Sequence, residues 1–175
     1  MLIGNHDHHY FPEIGNTGTS GYQSMFSYQI SPVLDANREH LQMAYQMDDF
    51  IFSHAGISMD WLKIHGYDNE TNLIDWVNDM WKYMPRAFKF AGYDPYGDST
   101  ISSPIWIRPK SLQKANRDTL RDQFIQVVGH TQQNKIDREG KSTGGRYYYI
   151  DTLGTSGEYM IINDNDEISF NTWQN

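Results

Sequence analysis

The chain has 175 residues, of which 38% are hydrophobic and 14% aromatic, and these fractions predict a packed domain and exclude a disordered chain. It has no cysteine, which excludes disulfides, thiolate metal sites and cysteine nucleophiles. Its formal net charge of −8 argues against a nucleic-acid groove, which would need cations along the phosphates. No apolar run approaches the ~20 residues of a membrane span, and no leader is evident, so we expect a cytoplasmic protein with no membrane or nucleic-acid partner.

The first predicted element is the end of a buried strand at Leu2 and Ile3. Gly4 would turn the chain and place 5–9 on a loop at the carboxyl end of that strand. Ligands of open α/β sheets bind outside this end of the strands. The Gly, Thr and Ser residues of 12–24 predict a surface loop.

The middle of the chain alternates predicted helices and strands. We expect a helix over 37–47, with Leu41, Ala44 and Tyr45 on one face, and a strand over 49–53 that delivers His54. A short helix is predicted over 59–64. The clearest helix has apolar residues at spacings of three and four and ends before a proline. These apolar residues, which we interpret as core packing, are Leu73, Trp76, Val77, Met80, Trp81 and Met84.

In the second half, residues 93–103 are predicted to be a loop and 105–108 a short strand, followed by a helix over 111–123. The apolar run 124–128 is predicted to be a central strand with His130 just beyond its end. Three short strands should follow, at 146–152, 158–163 and 167–170, with turns at 144–145 and 163–166. The pattern is that of a layered α/β fold, and we assign 1–175 to a single domain.

Three short motifs each follow an apolar run: Gly4-Asn5-His6-Asp7, Ser53-His54-Ala55-Gly56 and Gly129-His130-Thr131. In this order they resemble three sequence blocks of the calcineurin-like metallophosphoesterases. The absence of a second histidine at Gln132 is similar to the phosphoprotein-phosphatase and dinucleoside-tetraphosphatase branch. The resemblance implies an α/β/β/α sandwich. Because the family's Asp-x-His and Gly-Asp-x-x-Asp blocks do not precede Gly4, we expect an N-terminally incomplete, partial domain.

The resemblance implies metal ligands. The side-chain oxygen of Asn5, together with His54 and His130, matches three ligands of one metal in a two-metal site. Manganese is the expected ion, with iron, zinc and magnesium as alternatives, because the chain offers only nitrogen and oxygen donors. A single loop histidine is more often a surface or hydrogen-bonding residue, but the shared placement of these residues favours metal binding.

The resemblance also implies residues that act on the substrate. His6 matches the histidine that meets the substrate as general acid, and Asp7 matches the carboxylate that orients it. Arg108, between Ile107 and Pro109, resembles an arginine that grips phosphate, although a structural ion pair is an equal alternative. Asp151 fits either an active-site neighbour or a turn.

We therefore expect a metal-dependent phosphoesterase acting on a phosphomonoester or phosphoanhydride, either a phosphorylated small molecule or a phosphoprotein. With only one metal's ligands present, all neutral, the chain alone should bind metal weakly and have little or no activity. The alternative is a degenerate phosphoesterase fold retained as a binding or scaffolding module. The expected macromolecular partner is a second copy or a separately encoded N-terminal part. His8 and His9 are interpreted as solvated loop residues, and His40 and His65 as exposed or structural residues on helices.

Overall fold

The protein is a mixed α/β fold, seen in a computed structural model that describes residues 1–16, 18–19, 21–90, 99–116, 123–136 and 146–173. Its main sheet has four strands in the order β1-β2-β3-β4. Strand β1 runs antiparallel to β2, whereas β2, β3 and β4 run parallel. The four strands are β1 (Ala44–Met47), β2 (Phe50–Ser53), β3 (Ile125–Val128) and β4 (Tyr147–Tyr149).

A separate two-stranded antiparallel sheet is formed by β5 (Glu158–Ile162) and β6 (Ile168–Thr172). An apolar groove of about 250 Å³ lies between this hairpin and the main sheet. Its lining comes from β1, β2, β3, β5 and the segment after β4: Met47, Phe52, Val127, Ile150, Met160 and Ile162.

Five α-helices accompany the sheets in the described ranges. They are α1 (Asn5–His8), α2 (Ser27–Ala36), α3 (Met59–Ile64), α4 (Leu73–Tyr83) and α5 (Pro109–Ala115). Short 3₁₀ turns lie at Ser24–Phe26, Arg38–His40 and Pro85–Phe88. Among these residues, no helix has the length and apolarity needed to cross a bilayer.

Helix α4 shows how sequence pattern becomes core packing. The side chain of Asn72 accepts hydrogen bonds from the first backbone amides of the helix and so caps it. Its stripe at spacings of three and four buries Val77 and Trp81, and the Trp81 ring meets Phe11 edge to face at 4.8 Å. The helix ends at Tyr83, before Pro85, as the sequence predicts. The interpretation of the stripe as core is confirmed for Leu73, Val77, Met80 and Trp81, whereas Trp76 is partly buried and Met84 is exposed.

Several strands and helices agree with their predicted positions. The predicted helices at 59–64 and 73–84 correspond to α3 and α4. The strands predicted around 50–53, 125–128 and the end of the chain are also present. Residues 144–145 and parts of the predicted loop at 93–103 and helix at 111–123 lie outside the described residues; α5 accounts for the first part of that helix.

Three local predictions are wrong. The helix expected over 37–47 is instead a 3₁₀ turn followed by β1, because 44–47 pairs with β2 along its whole length. A helix occurs earlier, at α2. Residues 105–108 form turns and the cap of α5 rather than a strand, with the amides of Trp106 and Ile107 both bonded to the carbonyl of Ser103. Residues 5–8 form a helical turn rather than an open loop.

The register of the sheet places the ends of two strands side by side. Ser53 of β2 is opposite Val128 of β3 in a parallel pair. The residues that follow, His54 and Gly129, stay paired through a 2.9 Å hydrogen bond from the Gly129 amide to the His54 carbonyl. The predicted loops at 54 and 130 therefore emerge together at one edge of the sheet.

A glycine behind this edge leads to a stability prediction. Gly56 has φ of +114°, and a Cβ there would overlap Cδ2 of the buried Leu112 and lie 3.0 Å from its Cδ1. We expect Gly56→Ala to lower the free energy of unfolding by about 3 kcal/mol through backbone strain plus overpacking. Gly66→Ala is the matched control, since Gly66 has φ of +85° but no atom within 4 Å of its Cβ position. Urea unfolding of both variants measures the difference, and equal losses would contradict the packing argument.

Candidate functional site

Three side chains from distant parts of the sequence converge at the sheet edge. The Nε2 atom of His54 lies 2.8 Å from Oδ1 of Asn5 and 3.1 Å from Nδ1 of His130. The two imidazole rings meet at a centroid distance of 4.9 Å. The structure thus brings together the three residues that the sequence predicts as metal ligands.

The backbone around these residues is shaped for close approach. A Cβ at Gly4 would lie 2.9 Å from Cε1 of His54 and 3.3 Å from the Asp7 carboxylate, so only glycine leaves room here. His130 has φ of +63°, a left-handed conformation that is rare for non-glycine residues and recurs at functional sites. Gly4 thus leaves room for the His54 ring, and the left-handed residue His130 has its Nδ1 atom 3.1 Å from Nε2 of His54.

The hydrogen-bond acceptors in this cluster outnumber the protons available to them. Oδ1 of Asn5 accepts, so the proton on Nε2 of His54 is shared between it and Nδ1 of His130. Neutral His130 then carries its own proton on Nε2, which is buried, and a backbone hydrogen bond with Trp106 partly opposes the fall in the pKa of this ring. Two acceptor atoms, Oδ1 of Asn5 and Nδ1 of His130, therefore face the single Nε2 proton of His54.

Both imidazoles are neutral at neutral pH. Burial lowers the pKa of His54 to about 4, although the nearby Asp7 carboxylate opposes the shift. Burial also lowers the pKa of His130 to about 3, assisted by the charges of His54 and Arg108. Neutral imidazole is the form that binds metal ions.

His6 lies beside the convergent pair. Its side chain is exposed, and its charge lowers the pKa of both His54 and His130, so it lies close to the same site. The Asp7 carboxylate does not hydrogen-bond to His6 among the described contacts; its Oδ2 accepts instead from the Gly4 amide at 2.9 Å, which caps α1. The proposed orienting role of Asp7 stays a prediction, and its observed role is to fix the turn that carries Asn5.

Arg108 reaches the same edge from the start of α5. Its Nη1 donates to Oγ1 of Thr131 at 3.1 Å, next to His130. Pro109 begins the helix immediately after it, where a proline costs no hydrogen bond. The guanidinium therefore lies at the His130 side of the cluster. Asp151 contributes a negative charge that acts on His54.

Two histidines that the sequence analysis assigned to solvent are buried. His8 is 2% exposed, contacts the Trp81 ring and hydrogen-bonds through Nε2 to the Pro85 carbonyl at 3.0 Å. His9 is 1% exposed. The helical turn α1 directs both side chains inward, whereas the predicted open loop would leave them in solvent. No local sequence signal reveals this, because the partner of His8 is 77 residues away.

The chemistry of the ligand atoms decides which ion this site can bind. Within the described ranges, no cluster of three or more His, Asp or Glu side chains has the arrangement of a metal site. The convergent set consists of two imidazoles and one amide, with no carboxylate. It is therefore a set of neutral donors, adjacent to one exposed imidazole and one guanidinium.

No family model matches this chain, and no curated protein matches it. Solved structures do match. A cold-active protein tyrosine phosphatase of a psychrophilic Shewanella species has a TM-score of 0.51 and 15% identity over 97% of this chain. Another structure of a cold-active protein tyrosine phosphatase has a TM-score of 0.52 and 16% identity, also over 97% of this chain. The chain covers 56–57% of the length of these structures. The likeness shows that the chain shares the α/β fold of these structures.

Proposed function

We propose that this chain is a metal-dependent phosphoesterase domain, or the part of one that binds a single metal ion. The observation that carries the proposal is that Oδ1 of Asn5 and Nδ1 of His130 converge on Nε2 of His54, at 2.8 and 3.1 Å from it. A likeness in fold to phosphatases supports the same class of reaction.

The spacing of the donors fits a first-row divalent ion. Metal–ligand bonds of about 2.1 Å separate neighbouring donor atoms by about 3.0–3.4 Å. The distances from Nε2 of His54 come close to this, so small outward shifts of the side chains would admit the ion. An ion would also replace the single Nε2 proton of His54, which now serves two acceptor atoms. We propose manganese, with iron, zinc and magnesium as alternatives.

A divalent ion held here would supply Lewis-acid stabilisation of a phosphoryl group and an activated water. The chain itself supplies the other functions. His6 lies exposed beside the site and would donate a proton to the leaving oxygen. Arg108 offers a planar set of N–H donors that suits two phosphoryl oxygens. In the present structure one of these donors is bonded to Thr131.

One observation supports the alternative of a non-catalytic binding or scaffolding module. All three convergent donors are neutral, and the Asp7 carboxylate, whose charge acts on His54, is bonded to the Gly4 amide. Neutral ligands compensate the charge of a divalent ion poorly, so we expect weak binding and slow hydrolysis by this chain alone. The association partner, a second copy or an N-terminal part, stays a prediction, as does the cytoplasmic location.

The substrate we propose is a phosphomonoester or phosphoanhydride, on a small molecule or a phosphoprotein. The solved structures that share the fold are described as protein tyrosine phosphatases. An aryl phosphate is therefore the appropriate first substrate.

The test is hydrolysis of p-nitrophenyl phosphate with and without added Mn²⁺. We expect slow, Mn²⁺-dependent turnover that falls at least about tenfold in His6→Ala, because general acid catalysis contributes at least this much. His40→Ala is the control, since the His40 side chain is 72% exposed and lies in a 3₁₀ turn elsewhere. Turnover that is independent of metal would contradict the proposal. Metal binding without any turnover would favour the binding module.

A further inference from the structure

The loop that follows α1 returns across the proposed general acid. Gly21 has φ of +86°, and a Cβ built there would lie 2.8 Å from each of three atoms of the His6 ring, Cδ2, Cε1 and Nε2. Equal distances to these atoms mean that the Gly21 backbone lies over one face of the imidazole. The side chain of His6 is nonetheless exposed, so its free edge remains accessible.

Contacts from the end of α1 hold this part of the loop in place. The Tyr10 hydroxyl donates to the Gly21 carbonyl at 3.4 Å and accepts from the Gln23 amide at 2.7 Å. The Tyr10 ring also stacks on Tyr22 at 5.1 Å. Gly21 and the two residues that follow it are therefore held by a buried tyrosine that lies only four residues after His6.

A second ring is parallel to His6. The His9 imidazole lies 6.3 Å away with an interplanar angle of 12°. His9 itself is fixed by edge-to-face contacts with Tyr10 and Tyr22 and by a 3.2 Å contact from its Nδ1 to Oγ1 of Thr19. The surroundings of His6 thus define the plane of its ring.

The orientation of a terminal ring is normally loosely defined, because rotation about χ2 is broad. Proton transfer needs the donor nitrogen within about 0.5 Å of its productive position, and misplacement by about 1 Å can cost about 100-fold in rate. A rigid surface against one face of the ring restricts this rotation. Only glycine allows the backbone to approach so closely at this left-handed position.

We propose that Gly21 is a positioning residue for His6: its backbone packs on the imidazole and sets the plane in which the proton is delivered. The contact itself is independent of the reaction, whereas its catalytic consequence rests on the proposed function.

The first experiment needs no activity. We expect Gly21→Ala to raise the rate of diethyl pyrocarbonate modification of His6, followed by mass spectrometry, by about threefold or more, since the ring must leave the loop. Gly18→Ala is the matched control, because Gly18 has φ of +71° in the same loop but no atom within 4 Å of its Cβ position. It should leave the rate unchanged. Equal rates in the two variants would overturn the proposal.

A milder variant covers the case in which Gly21→Ala unfolds the chain. Tyr10→Phe removes the hydroxyl that binds Gly21 and Gln23 but preserves the ring. It should raise the reactivity of His6 in the same direction, whereas Tyr28→Phe, at a tyrosine that is 71% exposed, should not. An unchanged modification rate of His6 in Tyr10→Phe would contradict the proposal that this loop holds the His6 ring in place.

The second experiment is a double-mutant cycle on Mn²⁺-dependent turnover. Gly21→Ala should lower kcat about tenfold or more with KM unchanged, and should have no further effect in a His6→Ala background. An equal loss in both backgrounds would show a general structural effect and overturn the positioning role. If the parent chain has no turnover, the proposed function fails, while the modification rates still decide the contact between Gly21 and His6.

Discussion

Replacing His54 with alanine is expected to abolish measurable Mn²⁺ binding. His54 Nε2 is the central atom of the cluster, because it contacts both Asn5 and His130. Removing a supporting group behind a metal ligand costs 10–100-fold in affinity, so removal of a direct ligand should cost at least about 100-fold. The remaining amide and imidazole cannot hold a divalent ion by themselves.

Isothermal titration calorimetry at pH 7.5 measures this directly, and thermal unfolding with and without Mn²⁺ gives a second measure. At a metal concentration of about 100 times Kd, binding should stabilise the parent chain by about 2.7 kcal/mol, and His54→Ala should lose this stabilisation. His40→Ala, in an exposed 3₁₀ turn, should retain it. Circular dichroism in chelator would establish that both variants are folded. Undiminished binding in His54→Ala would place the metal elsewhere and remove the main support for the proposed function.

The metal-free protein is expected to lose much of its stability between pH 7 and pH 5. Burial lowers the pKa of His8 to about 4, with the Pro85 hydrogen bond opposing the shift. His54 and His130 are lowered to about 4 and about 3. All three lie below the ordinary value of about 6.5 that the unfolded chain retains.

The direction of the pH dependence follows from these shifts. Between about pH 6.5 and pH 4 the unfolded state binds more protons than the folded state, so stability falls as the pH falls and is fully retained above pH 6.5. A shift to about 4 costs roughly 2 kcal/mol per histidine on going from pH 7 to pH 5. Three such groups together approach the whole stability of a small domain, about 5–15 kcal/mol.

Urea unfolding at pH 7 and pH 5 in the presence of a chelator tests this expectation. His8→Phe should remove roughly one third of the pH dependence, because a phenyl ring can still pack on Trp81 but cannot be protonated. The same exchange at the exposed His40 should leave the pH dependence unchanged. Equal stability of the parent at both pH values would mean that these imidazoles are charged in the folded protein.

Sequence patterns predicted the elements in which local preference and tertiary packing agree. Helix α4 has a capping asparagine, a continuous apolar stripe and a proline just beyond its end. Strands β2 and β3 are short apolar runs bounded by polar residues, and their pairing in the sheet matches that pattern. In these segments each local signal indicates the same structure, which is why they could be predicted.

The predictions failed where a long-range contact overrides a local pattern. The side chains of 44–47 satisfy a helical spacing, but β2 supplies a complete set of antiparallel backbone partners. The sequence predicts a loop around His6. In the structure the Asp7 carboxylate accepts a hydrogen bond from the Gly4 amide, and this bond caps the helical turn α1. That turn buries His8 and His9, whose burial therefore could not be anticipated from the motif.

What the amino-acid sequence by itself determined is the set of chemical groups: two histidines and an asparagine after apolar runs, no thiols, and a neighbouring histidine and arginine. The tertiary structure alone decided that Asn5, His54 and His130 converge at the edge of a sheet, because the parallel register of β2 and β3 aligns the strand ends. It also decided that Gly21 lies on His6, since that contact depends on how Tyr10 holds the loop and not on any local pattern. Residue types are encoded locally, whereas distances between side chains arise only when the chain has folded.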